Sequence, residues 1–357
     1  MPKSLIARLA LANQARSRSQ FAQARRLFQA ILPLAQRDPE SRLEALQGLA
    51  DCCRLLGDFS QAIKAYERAL TLVPAGDRAS RADLTAGLAL AHRGAGKPKE
   101  AIRFLIQAQK NYIRLKDKAG LAFCAWALGG AWRIAGDPVK GQAQLAQAWK
   151  LYSQLKDTEG LSYTACALGG VARMLGRWAE SRSHYTDANA RMRARKDAFG
   201  VAYSYCGLGN ACRMEGDLAG ALAYFKKAEI RYAKIGDKVS YAYTLWSIAT
   251  TQKLLWQGQQ ALATVAKAEK LFRATGDERG LAYAALTRAE LYFLQRENVK
   301  AVKAYKQAQQ WSKPFAWEKR HTQALGALML GKAAAARRAY AGSGSAFVAQ
   351  SFPVSWP

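Results

Sequence analysis

The stretch Leu128-Gly-Gly-Ala-Trp-Arg-Ile-Ala-Gly-Asp137 returns forty residues later as Leu168-Gly-Gly-Val-Ala-Arg-Met-Leu-Gly-Arg177, and again as Leu208-Gly-Asn-Ala-Cys-Arg-Met-Glu-Gly-Asp217. Self-similarity at a fixed period of about 20 to 50 residues is typical of solenoids. Each unit of a solenoid buries its apolar face against its neighbours, so a chain of 357 residues can form one array. The spacing therefore predicts a repeat protein rather than two or three globular domains.

Each repeat contains two apolar-periodic segments of about 14 residues, the length of ordinary amphipathic helices. The first segment ends at a glycine-led turn, at Gly57, Gly96, Gly136, Gly176 and Gly216, with Ser19, Trp256 and Arg296 in the weaker repeats. Aspartates spaced by 40 stand between repeats, at Asp77, Asp117, Asp157, Asp197, Asp237 and Asp277. An aspartate before an apolar-periodic run is predicted to cap the helix that follows.

The repeat resembles the tetratricopeptide repeat. The resemblance is carried by Leu128-Gly129, Trp132, Gly136-Asp137 and the small-large-small series Ala62, Tyr66, Ala69. It covers about residues 3 to 342, and the 40-residue period is similar to that of Pins-type scaffolds. It implies an all-α, right-handed superhelix of about nine hairpins, with units starting near residues 3, 39, 78, 119, 159, 199, 239, 279 and 316. Residues 1–342 would form this array, and residues 343–357 a flexible apolar C-terminal tail.

The net charge constrains the chemistry of possible partners, and the cysteines indicate the redox compartment. The net charge is +28, which favours acidic or polyanionic partners. No apolar run approaches the ~20 residues of a membrane span. The six cysteines lie on predicted helices without Cys-x-x-Cys or metal-ligand spacing, at Cys52, Cys53, Cys124, Cys166, Cys206 and Cys212. Reduced thiols predict a cytoplasmic protein; the oligomeric state stays open.

A series of basic residues, here named the basic ladder, recurs late on the first helix of successive repeats. Its members are Arg16, Arg54, Arg93, Arg133, Arg173, Arg213 and Lys253, and Phe293 ends it. Nearer the start of the same helix stand Phe123, Tyr163, Tyr203, Tyr243 and Tyr283, with Trp126, Cys166, Cys206, Trp246 and Leu286 between the two series. The resemblance places these positions on the concave, ligand-holding face. Asn210 is an isolated candidate for the amide of a carboxylate clamp.

These residues predict a groove for an extended anionic ligand. Neighbouring first helices should lie on the order of 10 Å apart, so an extended peptide rising ~3.3 Å per residue would meet a basic residue at every third position. Arginine grips carboxylate or phosphate bidentately. The resemblance favours an acidic or phosphorylated protein segment, bound by a non-catalytic adaptor. RNA or single-stranded DNA in the same groove is the alternative, because stacking aromatics and cations suit it as well. A structural assembly subunit is the third hypothesis.

Catalysis and cofactor binding are not expected. His92, His184 and His321 lie in different repeat contexts, and none has a serine, cysteine or carboxylate at triad-like or metal-like spacing. Gly129-Gly130 and Gly169-Gly170 fall inside predicted helices, where they allow close packing rather than phosphate binding. The sequence thus predicts no enzyme, no cofactor and no metal.

Overall fold

The computed structural model describes residues 3–18, 20–332, 334–336 and 338, and these residues contain helices and no strand. The helices are α1 (Lys3–Ser17), α2 (Phe21–Ile31), α3 (Pro39–Leu55), α4 (Phe59–Leu72), α5 (Arg78–Gly94), α6 (Pro98–Leu115), α7 (Lys118–Ala135), α8 (Pro138–Leu155), α9 (Thr158–Met174), α10 (Trp178–Ala194), α11 (Ala198–Glu215), α12 (Leu218–Ile235), α13 (Lys238–Leu254), α14 (Gly258–Thr275), α15 (Glu278–Leu294), α16 (Asn298–Ser312) and α17 (Ala316–Met329). The predicted all-α solenoid of helix hairpins is confirmed. The predicted tail, residues 343–357, lies outside the described residues.

The capping aspartates and the turn glycines of the sequence lie at helix boundaries in the structure. Each of the six spaced aspartates accepts a hydrogen bond from a backbone N–H of the helix it precedes; Asp157, for example, accepts from Gly160 N at 2.9 Å. The turn glycines adopt positive φ, as at Gly136 (φ 94°). Trp256 and Arg296 adopt the same left-handed conformation at φ 60°, although it disfavours residues with a Cβ. Ser19 lies outside the described residues.

The chain divides into two compact units, Met1–Ala131 and Trp132–Pro357. Within each unit, consecutive odd-numbered helices contact one another, as in α1–α3–α5 and α9–α11–α13–α15–α17. The even-numbered helices pack mainly against the odd-numbered helices beside them. These contacts arrange the odd-numbered helices in a row, named here the inner row because the resemblance predicts that it lines the concave face. The basic ladder lies on odd-numbered helices.

Small residues let these helices approach each other closely. In the first unit, Ala62 and Ala69 are fully buried on either side of Tyr66, which confirms the predicted small-large-small packing. In the second unit the ring of Tyr185 fills the space beside Gly207, where an added Cβ would come within 2.1 Å of it. Cores packed this tightly tolerate little added volume.

The second unit closes on itself through α17. The Trp317 side chain is buried, and it lies beside the turn at Gly136, where an added Cβ would stand 3.5 Å from the indole. Trp317 also shares a hydrophobic cluster with Met174, at the end of α9, and with Leu286 of α15. Helix α17 thus contacts the turn that precedes α8.

All six cysteines are free thiols, as predicted. Burial raises the pKa of each; Cys52 and Cys124 both rise to about 12. Among the described helices, none is long and apolar enough to span a bilayer.

Candidate functional site

The basic ladder occupies the last turn of successive odd-numbered helices. Cations at a helix C-terminus interact favourably with the helix dipole. This local effect accounts for a basic residue at each helix end, but it does not require arginine in six repeats of seven. The surroundings of the individual residues differ sharply along the ladder.

The first two ladder residues share one carboxylate. Asp51 Oδ2 accepts a hydrogen bond from Arg16 Nη1 at 3.0 Å, and Asp51 Oδ1 lies 3.7 Å from Arg54 Nη2. Tyr66 donates its hydroxyl to the same carboxylate at 2.5 Å and accepts from Arg54 Nε at 3.4 Å. Burial opposes the charged form of Arg54, but Tyr66 and Asp51 outweigh it and raise the pKa. Asp51 therefore pairs with both ladder residues at this end of the ladder.

Arg93 extends along the next odd-numbered helix. Its guanidinium lies over the ring of Trp126, 5.3 Å from the centroid, in cation–π geometry. Its Nη1 stands 2.7 Å from the point where a Cβ on Gly130 would be. The glycine gives the arginine room to cross α7.

Arg133 crosses α9 in the same way. Its Cδ and Nε come within 3.8 Å of the Cβ position of Gly170, and the hydroxyl of Tyr185 approaches the same point at 3.3 Å. Arg173 follows on α9, half-buried. Burial lowers the pKa of Arg173; Tyr185 opposes that shift and the positive charge of Arg133 adds to it.

Arg213 is the most buried arginine of the ladder, with 5% of its surface exposed. Its Nη2 donates to Asn210 Oδ1 at 3.0 Å, and its guanidinium lies 5.8 Å from the ring centroid of Trp246. Burial lowers its pKa to about 9, and the charge of Arg173 adds to that effect. A lowered pKa means that this environment stabilises the guanidinium charge less well than water does.

Lys253 is tied to the chain's own acidic side chain. Its ammonium forms a buried ion pair with Glu290 of α15, and both side chains are 1% exposed. Glu290 Oε1 also contacts His321 Nε2 of α17 at 2.6 Å. Burial lowers the pKa of Lys253, while Lys253 and His321 hold the pKa of Glu290 below its usual value against burial. Sequence spacing does not reveal the contact between His321 and Glu290, because the two residues come from different helices.

Two predicted groove tyrosines hold the capping aspartates of the following repeat. Tyr163 donates its hydroxyl to Asp197 Oδ2 at 2.9 Å, and Tyr243 donates to Asp277 Oδ1 at 3.2 Å. Asp197 caps α11 with its other oxygen, Oδ1, which accepts from Gly200 N. Asp277 caps α15 with the same Oδ1 oxygen that accepts from Tyr243. The two tyrosines therefore have a structural role, whatever else they contact.

The remaining predicted site residues pack on the same inner row. Tyr203 is 36% exposed and stacks on Phe199 with ring centroids 6.3 Å apart. Trp246 is buried and donates from Nε1 to Thr287 at 3.0 Å, and its ring packs against that of Tyr283 at a tilt of 32°, with ring centroids 4.4 Å apart. Asn210 donates to the carbonyl oxygen of Cys206 at 2.9 Å while it accepts from Arg213.

Sequence reasoning missed two polar groups of the second unit. Tyr185 comes from a second helix, yet it reaches the ladder beside Arg133. Glu318 of α17 accepts a hydrogen bond from Arg279 Nε at 2.8 Å, and Arg279 bonds the hydroxyl of Tyr283 at 3.1 Å. Tyr185 occupies the large position of the small-large-small series, 40 residues from Leu145 and Phe225, but the spacing does not show that its hydroxyl reaches the ladder. Glu318 lies in the degenerate ninth repeat, so no repeat spacing signals it. Among the described residues, no cluster of His, Cys, Asp or Glu could hold a metal ion.

Comparisons with known proteins agree on the fold. A sequence model of the tetratricopeptide repeat matches residues 4–75 and 160–234, and no curated protein matches the chain. The structure of a Rap protein complexed with competence and sporulation factor is similar at TM-score 0.71 and 13% identity, covering 98% of this chain and 99% of that one. The Rap conjugation regulator of plasmid pLS20, in complex with the Phr* peptide, gives TM-score 0.60 at 13% identity, with 95% and 94% covered. Aspartyl phosphate phosphatase F from Bacillus subtilis gives 0.52 at 13% identity, with 96% and 94% covered.

Proposed function

Because this chain is a tetratricopeptide repeat protein, we propose that it is a non-catalytic adaptor that binds an extended acidic or phosphorylated segment of a partner protein. The segment lies along the inner row of the second unit. Arg133, Arg173 and Arg213 are the central contacts, with Tyr203 and Trp246 beside them.

The observation that carries this proposal is the burial of like charges in register. Arg173 and Arg213 stand at equivalent positions of α9 and α11, and each lies close enough to a neighbouring ladder arginine for that charge to lower its pKa. Planar guanidinium groups held in this register suit an extended anionic segment, because each can bind a carboxylate or phosphate bidentately.

The structural neighbours support peptide capture as the role to test first. By their descriptions, one Rap protein holds competence and sporulation factor and another holds the Phr* peptide. At 13% identity the likeness concerns the fold, so the ligand chemistry must come from this chain's own residues. The phosphatase among the neighbours makes catalysis a separate question, which an assay of the purified protein on acyl phosphates answers.

A comparative pull-down tests the proposal. The bait is the full chain, with Arg133, Arg173 and Arg213 replaced together by glutamine in the variant. A matched control replaces Lys150, Lys234 and Lys270, exposed on the even-numbered helices, and so removes the same three charges. The lysate is nuclease-treated, and bound proteins are identified by mass spectrometry. Circular dichroism confirms that all three proteins keep their helix content.

The expected result is a protein retained by the wild type and by the lysine control but lost from the arginine variant. Equal retention by all three proteins refutes the proposal.

The net charge of +28 supports nucleic acid as the second candidate ligand. That candidate predicts an affinity whose logarithm falls by ~0.7 per phosphate contact for each log unit of salt. Nucleic acid gains support as the ligand if the arginine variant differs from wild type only when the lysate has not been treated with nuclease. A structural assembly subunit would instead show oligomers by solution mass that are lost on deletion of residues 343–357.

A further inference from the structure

A cleft of about 580 Å³ lies between α16 and α17, within the second unit. Lys306 and Lys313 line it from α16, and Lys319 lines it from α17. Lys306 and Lys313 are seven residues apart, which puts them on one face of α16 about 10 Å apart along the helix axis. The cleft therefore brings three cations together from two helices, and it shares no residue with the basic ladder.

Two buried hydroxyl groups connect the walls of the cleft. Ser312 of α16 is 1% exposed and Thr322 of α17 is 2% exposed, and Thr322 Oγ1 forms a hydrogen bond with Ser312 Oγ at 3.1 Å. Tyr305 also reaches α17, because a Cβ added to Gly326 would stand 2.2 Å from its hydroxyl oxygen. The three lysines are thus carried by two helices in direct contact rather than by a loop.

Acidic side chains are absent from the described residues that line the cleft. Helix α16 contains no acidic residue. The one acid of α17 is Glu318, which is buried and accepts a hydrogen bond from Arg279 of α15. After Glu318 the sequence contains no aspartate or glutamate. The described lining therefore combines ammonium, hydroxyl and amide groups with no carboxylate.

An earlier repeat places an acid where the cleft has an amide. On α14, Glu269 Oε1 accepts a hydrogen bond from Arg273 Nη2 at 2.6 Å. Forty residues later the same two positions hold Gln309 and Lys313. The cation is kept while the acid is replaced by an amide, which donates from Nε2 to the Tyr305 hydroxyl at 3.0 Å. This exchange removes from α16 the carboxylate that pairs with the cation on α14.

We propose that the cleft between α16 and α17 binds a small molecule that carries two linked phosphate groups. A cleft lined by charges of one sign concentrates ions of the opposite sign, and the lysine ammonium binds phosphate as a point charge. Three ammonium groups suit a diphosphate better than a single phosphate, because the second phosphate group can contact a lysine that the first does not reach.

The size of the cleft leaves room for the rest of such a molecule. Small-molecule sites commonly have volumes of about 300–1,000 Å³, and this cleft falls within that range. The amides of Gln309, Gln310 and Gln323 line it beside the lysines and can hydrogen-bond an organic group attached to the phosphates. A ligand here contacts both α16 and α17, so its binding stabilises the packing of α17.

Isothermal titration calorimetry with inorganic pyrophosphate tests the proposal, with inorganic phosphate for comparison, at an ionic strength of about 0.15 M. One cleft variant replaces Lys306, Lys313 and Lys319 by glutamine, and its control is the triple lysine control of the pull-down. The other cleft variant, Gln309→Glu, restores the acid found on α14 with almost no change in volume. Gln147→Glu, on an exposed position of α8, makes the same chemical change away from the cleft.

Wild type should bind pyrophosphate more tightly than phosphate, and both cleft variants should bind pyrophosphate at least tenfold more weakly than wild type. The two controls should match wild type. Absence of pyrophosphate binding by wild type overturns the proposal, and so does equal affinity of wild type and the triple cleft variant. Equal affinity of wild type for pyrophosphate and phosphate overturns the assignment of a diphosphate.

Thermal unfolding gives a second readout. Pyrophosphate should raise the melting temperature of wild type, because it binds the folded state, and should leave that of the triple cleft variant unchanged. An equal rise in both proteins contradicts the proposal, and circular dichroism without ligand shows that the variants keep their helix content. The arginine variant of the pull-down should bind pyrophosphate as wild type does, so failure of the proposed function would not remove this site.

Discussion

The buried pair of Lys253 and Glu290 should contribute strongly to the stability of the second unit as long as both partners are present. Replacing Glu290 by glutamine leaves the ammonium of Lys253 in a site that is 1% exposed. Breaking a buried pair from one side costs about 3–5 kcal/mol. The amide still accepts a hydrogen bond, so the lower end of that range applies. At ~2–4 °C per kcal/mol for a unit of this size, the melting temperature should fall by about 6–12 °C.

The pH dependence of this effect has a definite sign. The pKa of Glu290 is lowered in the folded protein, so its contribution is present above the unfolded value of about 4.3 and is lost as pH falls through the folded value. The difference in melting temperature between wild type and Glu290→Gln should therefore be full at pH 7 and should shrink as the pH falls below the unfolded value of about 4.3.

A double variant separates the loss of the pair from simple repacking. Lys253→Met together with Glu290→Gln removes both charges and keeps an acceptor for His321. Because the penalty of the single variant comes from an uncompensated buried charge, the double variant should recover at least half of the lost melting temperature. Circular dichroism at 222 nm, followed during heating, measures all three proteins. A double variant as unstable as the single one would refute the reasoning.

Two substitutions and one chemical labelling experiment probe the packing of the second unit. Tyr163→Phe removes the hydroxyl that bonds Asp197, which should cost about 1 kcal/mol in denaturant unfolding; no measurable change would show that the bond is not formed in solution. Gly207→Ala places a methyl group 2.1 Å from the Tyr185 ring and should lower the free energy of unfolding by about 1–3 kcal/mol. An unchanged free energy of unfolding would show that the helices can separate to accommodate the methyl group. The Cys166 thiol, whose pKa burial raises, should resist iodoacetamide at pH 8 and react only after unfolding, as peptide mapping would report.

The local features of the fold were predictable because each depends on only a few neighbouring residues of the sequence. The helix starts need only a capping aspartate such as Asp157 and the apolar period behind it. The turns need only a residue that tolerates positive φ, and Gly136 supplies it. At Trp256 the turn keeps a positive φ of 60° without glycine. Repetition then averages over such exceptions, so the array is recognisable despite them.

The candidate site was predictable in its positions but not in its electrostatics. The sequence places Arg54 and Lys253 in the same series as Arg213. Whether each charge is compensated depends on an acid from another segment, such as Asp51 or Glu290, and on the rotation of the helix that carries it. Such pairings become visible only when neighbouring helices are placed side by side.

The contact between Trp317 and the turn at Gly136 changes how the second unit can come apart. An open array of repeats can fray from its last hairpin, because each hairpin touches only its neighbours. Here α17 also touches the beginning of the unit and the end of α9, so its departure exposes apolar surface at both places. Opening of the C-terminal hairpin is therefore coupled to the middle of the chain. Amides of α15 and α17 should exchange with solvent in one cooperative step with those of α9, rather than in sequence from the end.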